Sequence, residues 1–134
     1  VADFGMARWL STEDSYSANT STKVPIKWTA PEAARYGNFT VKSDVWSYGI
    51  LLYEIVTKGA IPYPELNNRE LFDELERGYR MANPANCPEI IYTEVMLKCW
   101  DPKPYRRPTF EYMYYFFSDY FHDGQETYSQ TPNA

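Results

Sequence analysis

The sequence predicts a mainly α-helical protein, and three observations favour this class. Five segments combine clustered apolar residues with a helix start or stop signal, such as proline in the first turn or glycine after the last. Almost no segment is typical of a β-strand, and no internal repeat is found. The 134 residues are 44% hydrophobic and 18% aromatic, which is enough for a substantial core and excludes a disordered chain.

The first two helices are predicted between residues 31 and 58. Pro31 suits the first turn of a short helix, which Gly37 ends. The second helix covers residues 41–58 and ends before Gly59. Apolar side chains cover nearly its whole circumference, so we expect this helix to be buried rather than amphipathic.

The third and fourth helices are predicted from their terminal residues. Asn67 and Glu70 are spaced as a capping pair for a helix that ends at Gly78. Pro88 begins the fourth helix, which extends to about Trp100. We expect its apolar side chains to point inward, namely Ile90, Ile91, Val95, Met96 and Leu97.

The fifth helix is predicted to begin at Pro108 or Thr109. Six of its side chains are expected to pack in the core: Tyr112, Met113, Tyr115, Phe116, Tyr120 and Phe121. From His122 the chain is polar, so residues 1–121 are predicted to form the folded domain and residues 122–134 a flexible C-terminal tail.

Charge and cysteine usage exclude several classes of function. The net charge of −5 argues against a nucleic-acid or anionic-membrane surface, because both partners select basic patches. Cys87 and Cys99 fit no metal-ligand or redox spacing, which favours two structural thiols in a reduced intracellular protein. The longest apolar-rich run, residues 45–56, is too short to span a membrane.

Two short motifs stand out in the first quarter of the chain. Residues 3–5 are Asp-Phe-Gly, residues 30–32 are Ala-Pro-Glu, and a Ser/Thr-rich stretch with one tyrosine, Tyr16, lies between them. Either triplet alone would be a weak signal. Together and in this order they bracket the activation segment of the protein-kinase signature set.

Further segments indicate a particular branch of that family. Residues 25–32 read Pro-Ile-Lys-Trp-Thr-Ala-Pro-Glu, the tyrosine-specific form, and residues 42–52 and 107–112 look specifically Src-like. The chain therefore resembles the C-terminal, helical lobe of a Src-family cytoplasmic tyrosine kinase, over residues 1 to about 128. The complete kinase domain of that family is α+β.

The resemblance implies roles for four residues in binding. Asp3 matches the carboxylate that holds Mg²⁺ on the phosphates of ATP. The alternative is that Asp3 is a solvated aspartate in a turn and binds no metal. Pro25, Lys27 and Trp28 match the substrate-docking segment, in which the ring of Pro25 supports the ring of the substrate tyrosine.

Three further residues are assigned structural roles by the resemblance. Glu32 and Arg107 are expected to form a buried ion pair that holds the docking segment on the lobe. The alternative is two independent surface charges. Asp44 matches an aspartate that accepts hydrogen bonds from the catalytic-loop backbone. Because it lies in the first turn of a helix, its negative charge is also stabilised by the helix dipole.

Two tyrosines match regulatory positions of the family. Tyr16 occupies the autophosphorylation position of the activation loop, where a phosphate can order the loop against arginines. Tyr128 lies seven residues after Phe121, the spacing of the inhibitory tail tyrosine. Its phosphorylated form is expected to bind the protein's own phosphotyrosine-reading Src-homology module. A tail tyrosine without a role is the alternative.

The function implied by the resemblance is that of a signalling phosphoprotein, an ATP- and Mg²⁺-dependent kinase that phosphorylates tyrosine on protein substrates. The Gly-rich loop, the ATP-anchoring Lys and the catalytic Asp would all precede Val1, so we expect a fragment that is inactive alone. Two alternatives stay open: a catalytically dead pseudokinase scaffold, and a docking piece that carries phosphotyrosine. We expect a cytoplasmic protein that reaches the inner face of the plasma membrane only through an absent N-terminus.

Overall fold

Helices make up most of residues 25–129, the part of the chain that the computed structural model describes; side chains are described through His122. The prediction of a mainly helical protein is confirmed, since no strand occurs in this range. Short 3₁₀ turns cover Ile26–Trp28 and Pro104–Arg106. The helices are α1 (Pro31–Tyr36), α2 (Val41–Thr57), α3 (Asn68–Glu76), α4 (Glu89–Ile91), which continues through a π-helical turn (Tyr92–Met96) into α5 (Leu97–Cys99), and α6 (Phe110–Ser129).

Helix α2 is the longest helix whose side chains are all described, and local chemistry sets both of its ends. The Thr40 hydroxyl accepts hydrogen bonds from the backbone N–H groups of Lys42 and Ser43, and the Ser43 hydroxyl accepts one from the Thr40 N–H at 2.7 Å. This reciprocal cap satisfies N–H groups that have no partner inside the helix. At the other end, Lys58 adopts a left-handed conformation and the helix stops.

The expected burial of α2 holds for its first part only. Val45, Trp46 and Ile50 are buried, and so are Ser43 and Gly49. Ile55, two residues before the end of α2, is 61% exposed in the described part of the chain, so the prediction of a helix that is buried rather than amphipathic is wrong for its last turn. Composition alone cannot show this, because burial depends on where the neighbouring elements end.

The caps of α3 agree with the prediction, while the faces of the fourth predicted helix agree in part. The Asn67 side chain accepts from the Glu70 N–H at 2.8 Å, and the Glu70 carboxylate accepts from the Asn67 N–H at 2.9 Å. Ile91 is buried, as expected. Ile90 is 49% exposed, so its predicted inward position is wrong. Adjacent helical residues differ by about 100° in direction, so both isoleucines cannot face one core.

Helix α6 buries a narrower stripe than the sequence suggests. Met113 is buried and Phe116 and Tyr120 pack partly against the core. The predicted packing is wrong for Tyr115 and Phe121, which are exposed, and Tyr112 is also mostly outside the core. A single helix presents only one stripe to a core, at spacings of three and four residues.

The backbone of α6 continues to Ser129, beyond the point where a flexible tail is predicted to begin. No proline occurs between residues 122 and 129, and one glycine, Gly124, weakens a helix by only about 1 kcal/mol. The helix therefore has no strong stop signal before Pro132. The regulatory role predicted for residues 122–134 stays a prediction.

Gly49 allows the close approach of α2 to the end of α5. A Cβ atom at this position would lie 2.7 Å from the Cys99 Cβ and 2.7 Å from the Trp100 Nε1. Both neighbours are buried, so neither side chain can move outward freely. The absence of a side chain at Gly49 thus sets the distance between these elements.

We expect Gly49→Ala to lower the free energy of unfolding by about 1–3 kcal/mol, because the added methyl group must displace Cys99 or Trp100. Urea unfolding followed by far-UV circular dichroism measures the change. Ile55→Ala, on an exposed turn of the same helix, is the control and should change the free energy by less than about 0.5 kcal/mol. Equal or greater stability of the Gly49→Ala protein would contradict this packing.

Candidate functional site

The segment Pro25–Ala30 is a closed turn that lies beside α2. The Trp28 N–H donates to the Pro25 carbonyl at 2.9 Å, and the Thr29 hydroxyl donates to the same carbonyl at 2.8 Å. Thr29 and Ala30 are buried, whereas Pro25 is exposed. We call residues 25–28 the docking turn. Its one exposed residue is Pro25, the proline whose ring is predicted to support a substrate.

Trp28 is held by two side chains of α2. The Ser47 hydroxyl donates to the Trp28 carbonyl at 2.7 Å. The Trp28 indole N–H donates to the Glu54 carboxylate at 2.8 Å. Both ends of this residue are therefore tied to one helix, and its position follows that of α2.

Lys27 is held by the loop that follows α2. Its ammonium group donates to the carbonyl of Tyr63 at 2.8 Å. Tyr63 is buried, and its backbone has a left-handed conformation with a φ of 48°, which is costly for a residue other than glycine. The structure thus brings the three predicted docking residues together in one turn. It gives the side chains of Lys27 and Trp28 partners within the protein, and it leaves Pro25 exposed.

The predicted ion pair between Glu32 and Arg107 is present. The guanidinium contacts both carboxylate oxygens, at 2.8 Å and 3.0 Å. The Arg107 side chain is fully buried, and that of Glu32 is 17% exposed. The alternative of two independent surface charges is therefore wrong. A bidentate, buried pair of this kind fixes direction as well as distance.

Arg107 makes further contacts that the sequence does not predict. It donates to the carbonyl of Lys42 at 2.9 Å and to that of Asp101 at 2.9 Å, and its own carbonyl accepts from the Lys42 ammonium at 2.7 Å. Together with the two bonds to Glu32, the two bonds to carbonyls give each guanidinium nitrogen a partner and use four of its five N–H donors. Arg107 therefore joins α1, the start of α2 and residues 101–107.

Trp46 lies next to two arginines. The guanidinium carbons of Arg107 and Arg80 lie 5.0 Å and 5.1 Å from the centroid of its ring. Arg80 also donates to the carbonyls of Trp100 and Tyr79, at 2.8 Å and 2.7 Å. Burial lowers the pKa of Arg80, and the nearby Arg107 charge acts in the same direction. No spacing or motif in the sequence signals Arg80.

Asp44 lies in the first turn of α2 and is about half buried. Burial raises the pKa of its carboxyl group above the usual range. A carboxylate in such a position needs hydrogen-bond donors to remain charged. The predicted donors, the backbone N–H groups of a catalytic loop, are not part of this chain, so that role stays a prediction.

The two thiols of the chain are not candidates for catalysis. Cys87 and Cys99 are buried and form no disulfide. Burial raises the pKa of both thiols, that of Cys99 to about 12, so both stay protonated near neutral pH. A protonated thiol is neither a nucleophile nor a metal ligand, and both side chains serve packing.

Three predicted site residues cannot be placed. Asp3 and Tyr16 lie outside the described residues, and so does the side chain of Tyr128. Among the side chains of residues 25–122, no three of the His, Cys, Asp and Glu type come together in a way that could hold a metal ion. Over residues 25–129, no helix is both long enough and apolar enough to cross a membrane.

Comparison with known proteins identifies a family and a similar protein. A family model described as protein tyrosine and serine/threonine kinase matches residues 1–117. Over 129 residues the chain is 65% identical to the tyrosine protein-kinase src-1 of Caenorhabditis elegans. That alignment covers 96% of the chain and 24% of the nematode protein, so the chain spans about a quarter of the length of this relative.

We expect Arg107→Met to destabilise the protein by about 3–5 kcal/mol, because it leaves the Glu32 carboxylate without its partner in a mostly buried position. Arg77→Met is the matched control, since Arg77, just after the end of α3, pairs with Glu74 at 3.0 Å on the protein surface. That exchange should cost less than about 1 kcal/mol. Urea midpoints measure both, and similar losses for the two variants would contradict the importance of the buried pair.

Proposed function

Because the chain belongs to the protein tyrosine and serine/threonine kinase family and is of the Src tyrosine-kinase type, we propose that the protein carrying it transfers the γ-phosphate of ATP to tyrosine side chains of other proteins. The family match covers residues 1–117, and the similarity to the nematode tyrosine kinase covers nearly the whole chain. The activity is proposed for the complete protein rather than for these residues alone.

The docking turn is the observation that carries the tyrosine specificity of this proposal. Pro25 presents an exposed ring at the edge of a turn whose other residues are tied to α2 and to the loop after it. A fixed apolar surface suits the flat ring of a tyrosine better than a short serine or threonine side chain. The turn would hold the peptide while other parts of the enzyme act on the hydroxyl group.

The Glu32–Arg107 pair supports the same function indirectly, by positioning the docking turn. Glu32 lies four residues after the docking turn and is the second residue of α1. Its bidentate bond to Arg107 connects that helix to the body of the domain. We assign it the task of keeping the docking turn in place when a peptide binds, since positioning is a large part of phosphoryl-transfer catalysis.

ATP and Mg²⁺ are the cofactors that kinase chemistry requires, the metal neutralising charge on the transferred phosphoryl group. The side chains of residues 25–122 do not supply a metal site. We assign metal binding to Asp3 of the Asp-Phe-Gly motif, on the sequence alone. No observation favours the pseudokinase alternative, and an intact Asp-Phe-Gly motif has no physical purpose in a protein that binds no metal.

Regulation is proposed at two tyrosines. Phosphate on Tyr16 would add nearly two negative charges to the segment between the two motifs. Phosphate on Tyr128 would be bound by the protein's own Src-homology module and would restrain the enzyme. A cytoplasmic location, with membrane contact only through other parts of the protein, belongs to the same proposal.

In the complete protein, Asp3→Asn is expected to lower phosphate transfer to a tyrosine peptide by at least about 100-fold, because it removes the charge that holds the metal. Incorporation of labelled phosphate measures the loss, and the unfolding temperature should be unchanged. Asp73→Asn, on the exposed face of α3, is the control and should keep full activity. Substantial activity of the Asp3→Asn protein would contradict the metal-holding role.

Tyr128→Phe is expected to raise the basal activity of the complete protein severalfold, because the inhibitory phosphate can no longer form. Kinase assays on protein purified from cells that phosphorylate the tail measure the effect. Tyr114→Phe removes another exposed hydroxyl from α6 and should leave activity unchanged. Equal basal activities of wild type and the Tyr128→Phe protein would leave Tyr128 without a regulatory role.

A further inference from the structure

Ser47 and Glu54 lie on one face of α2 and hold Trp28 at two separate atoms. The two residues are seven positions apart, which is close to two helical turns, so their side chains point in similar directions. A separation of seven residues is about 10 Å along the axis. Ser47 binds the carbonyl of Trp28, and Glu54 binds the far end of its side chain. The helix thereby fixes both the position and the orientation of the indole ring.

Glu54 is not placed where it would help the helix itself. It lies in the last turn of α2, where the partial negative charge of the helix C-terminus opposes a carboxylate. Among the described residues it forms no ion pair, and the contact that the structure gives its carboxylate is the Trp28 indole N–H. A bond from a neutral donor to a charged acceptor is stronger than one between neutral groups. The Glu54 carboxylate therefore stabilises the docking turn rather than α2 itself.

We propose that Glu54 is a positioning residue for the peptide substrate. By holding the Trp28 indole it fixes the docking turn, and so the direction in which the exposed Pro25 ring faces the substrate tyrosine. This inference rests on the proposed kinase function and deepens it. Glu54 acts through Trp28 and touches neither ATP nor the transferred phosphoryl group, so its effect belongs to peptide binding.

The first test is steady-state kinetics of the complete protein with a tyrosine peptide and ATP. Glu54→Leu removes the acceptor while keeping a side chain of similar size, and should raise the KM for the peptide about five- to tenfold. The kcat and the KM for ATP should stay within about twofold. Glu54→Gln keeps an acceptor oxygen and should restore most of the peptide affinity. A general loss of stability would not produce this separation.

The second test asks whether Glu54 acts through the indole N–H. Trp28→Phe keeps an aromatic ring and removes only the donor and part of the ring, so it should also raise the peptide KM. In the double variant the two effects should not add, since both exchanges break one bond. Glu111→Leu, an identical exchange on the exposed first turn of α6, is the control and should leave all constants unchanged.

Direct binding separates this inference from the proposed function. The dissociation constant of a fluorescent tyrosine peptide, measured by anisotropy, should rise in the Glu54→Leu protein by the same factor as the KM. Weaker binding without any phosphate transfer by the wild type would support the role of Glu54 and overturn the kinase proposal. An unchanged peptide affinity, additive effects of the two exchanges, or equal behaviour of the Gln and Leu variants would overturn the role of Glu54.

Discussion

The contact between Arg107 and Glu32 is the interaction on which the rest of the described structure depends. One guanidinium joins α1 to the start of α2 and to residues 101–107, through two carboxylate oxygens and two carbonyls. A buried charge of this kind is tolerable only when it is paired and well hydrogen-bonded. The three segments that Arg107 joins must therefore assemble together before its side chain can be buried.

The position of the docking turn depends on the Arg107–Glu32 contact through α2. The same helix packs Trp46 against Arg107 and presents Ser47 and Glu54 to Trp28. Its rotation about its own axis is therefore restrained from two sides, by the core and by the turn. A surface that must recognise a flat ring benefits from such a support, because a rigid support loses little conformational entropy on binding.

Local features of this fold can be predicted from the sequence, and long-range features largely cannot. The capping pair of Asn67 and Glu70 is visible in the sequence because caps involve residues three positions apart. The directions in which the Ile90 and Phe121 side chains point cannot be predicted from the sequence, because they depend on which elements cover the helix. The bond from Trp28 to Glu54 spans 26 positions and needs the rotation of α2 to be known. The pair of Glu32 and Arg107 was accessible only through family resemblance.

The π-helical turn Tyr92–Met96 has a consequence for how the domain tolerates change in length. A π turn closes its hydrogen bonds over five residues instead of four, so it contains one residue more than the α turn in its place. The ends of the surrounding helix are set elsewhere, by the proline before α4 and by the packing of Cys99 against α2. The loss of one residue from this turn would let the segment close as an ordinary α-helix, so the domain can shorten here without a change in either end of the helix.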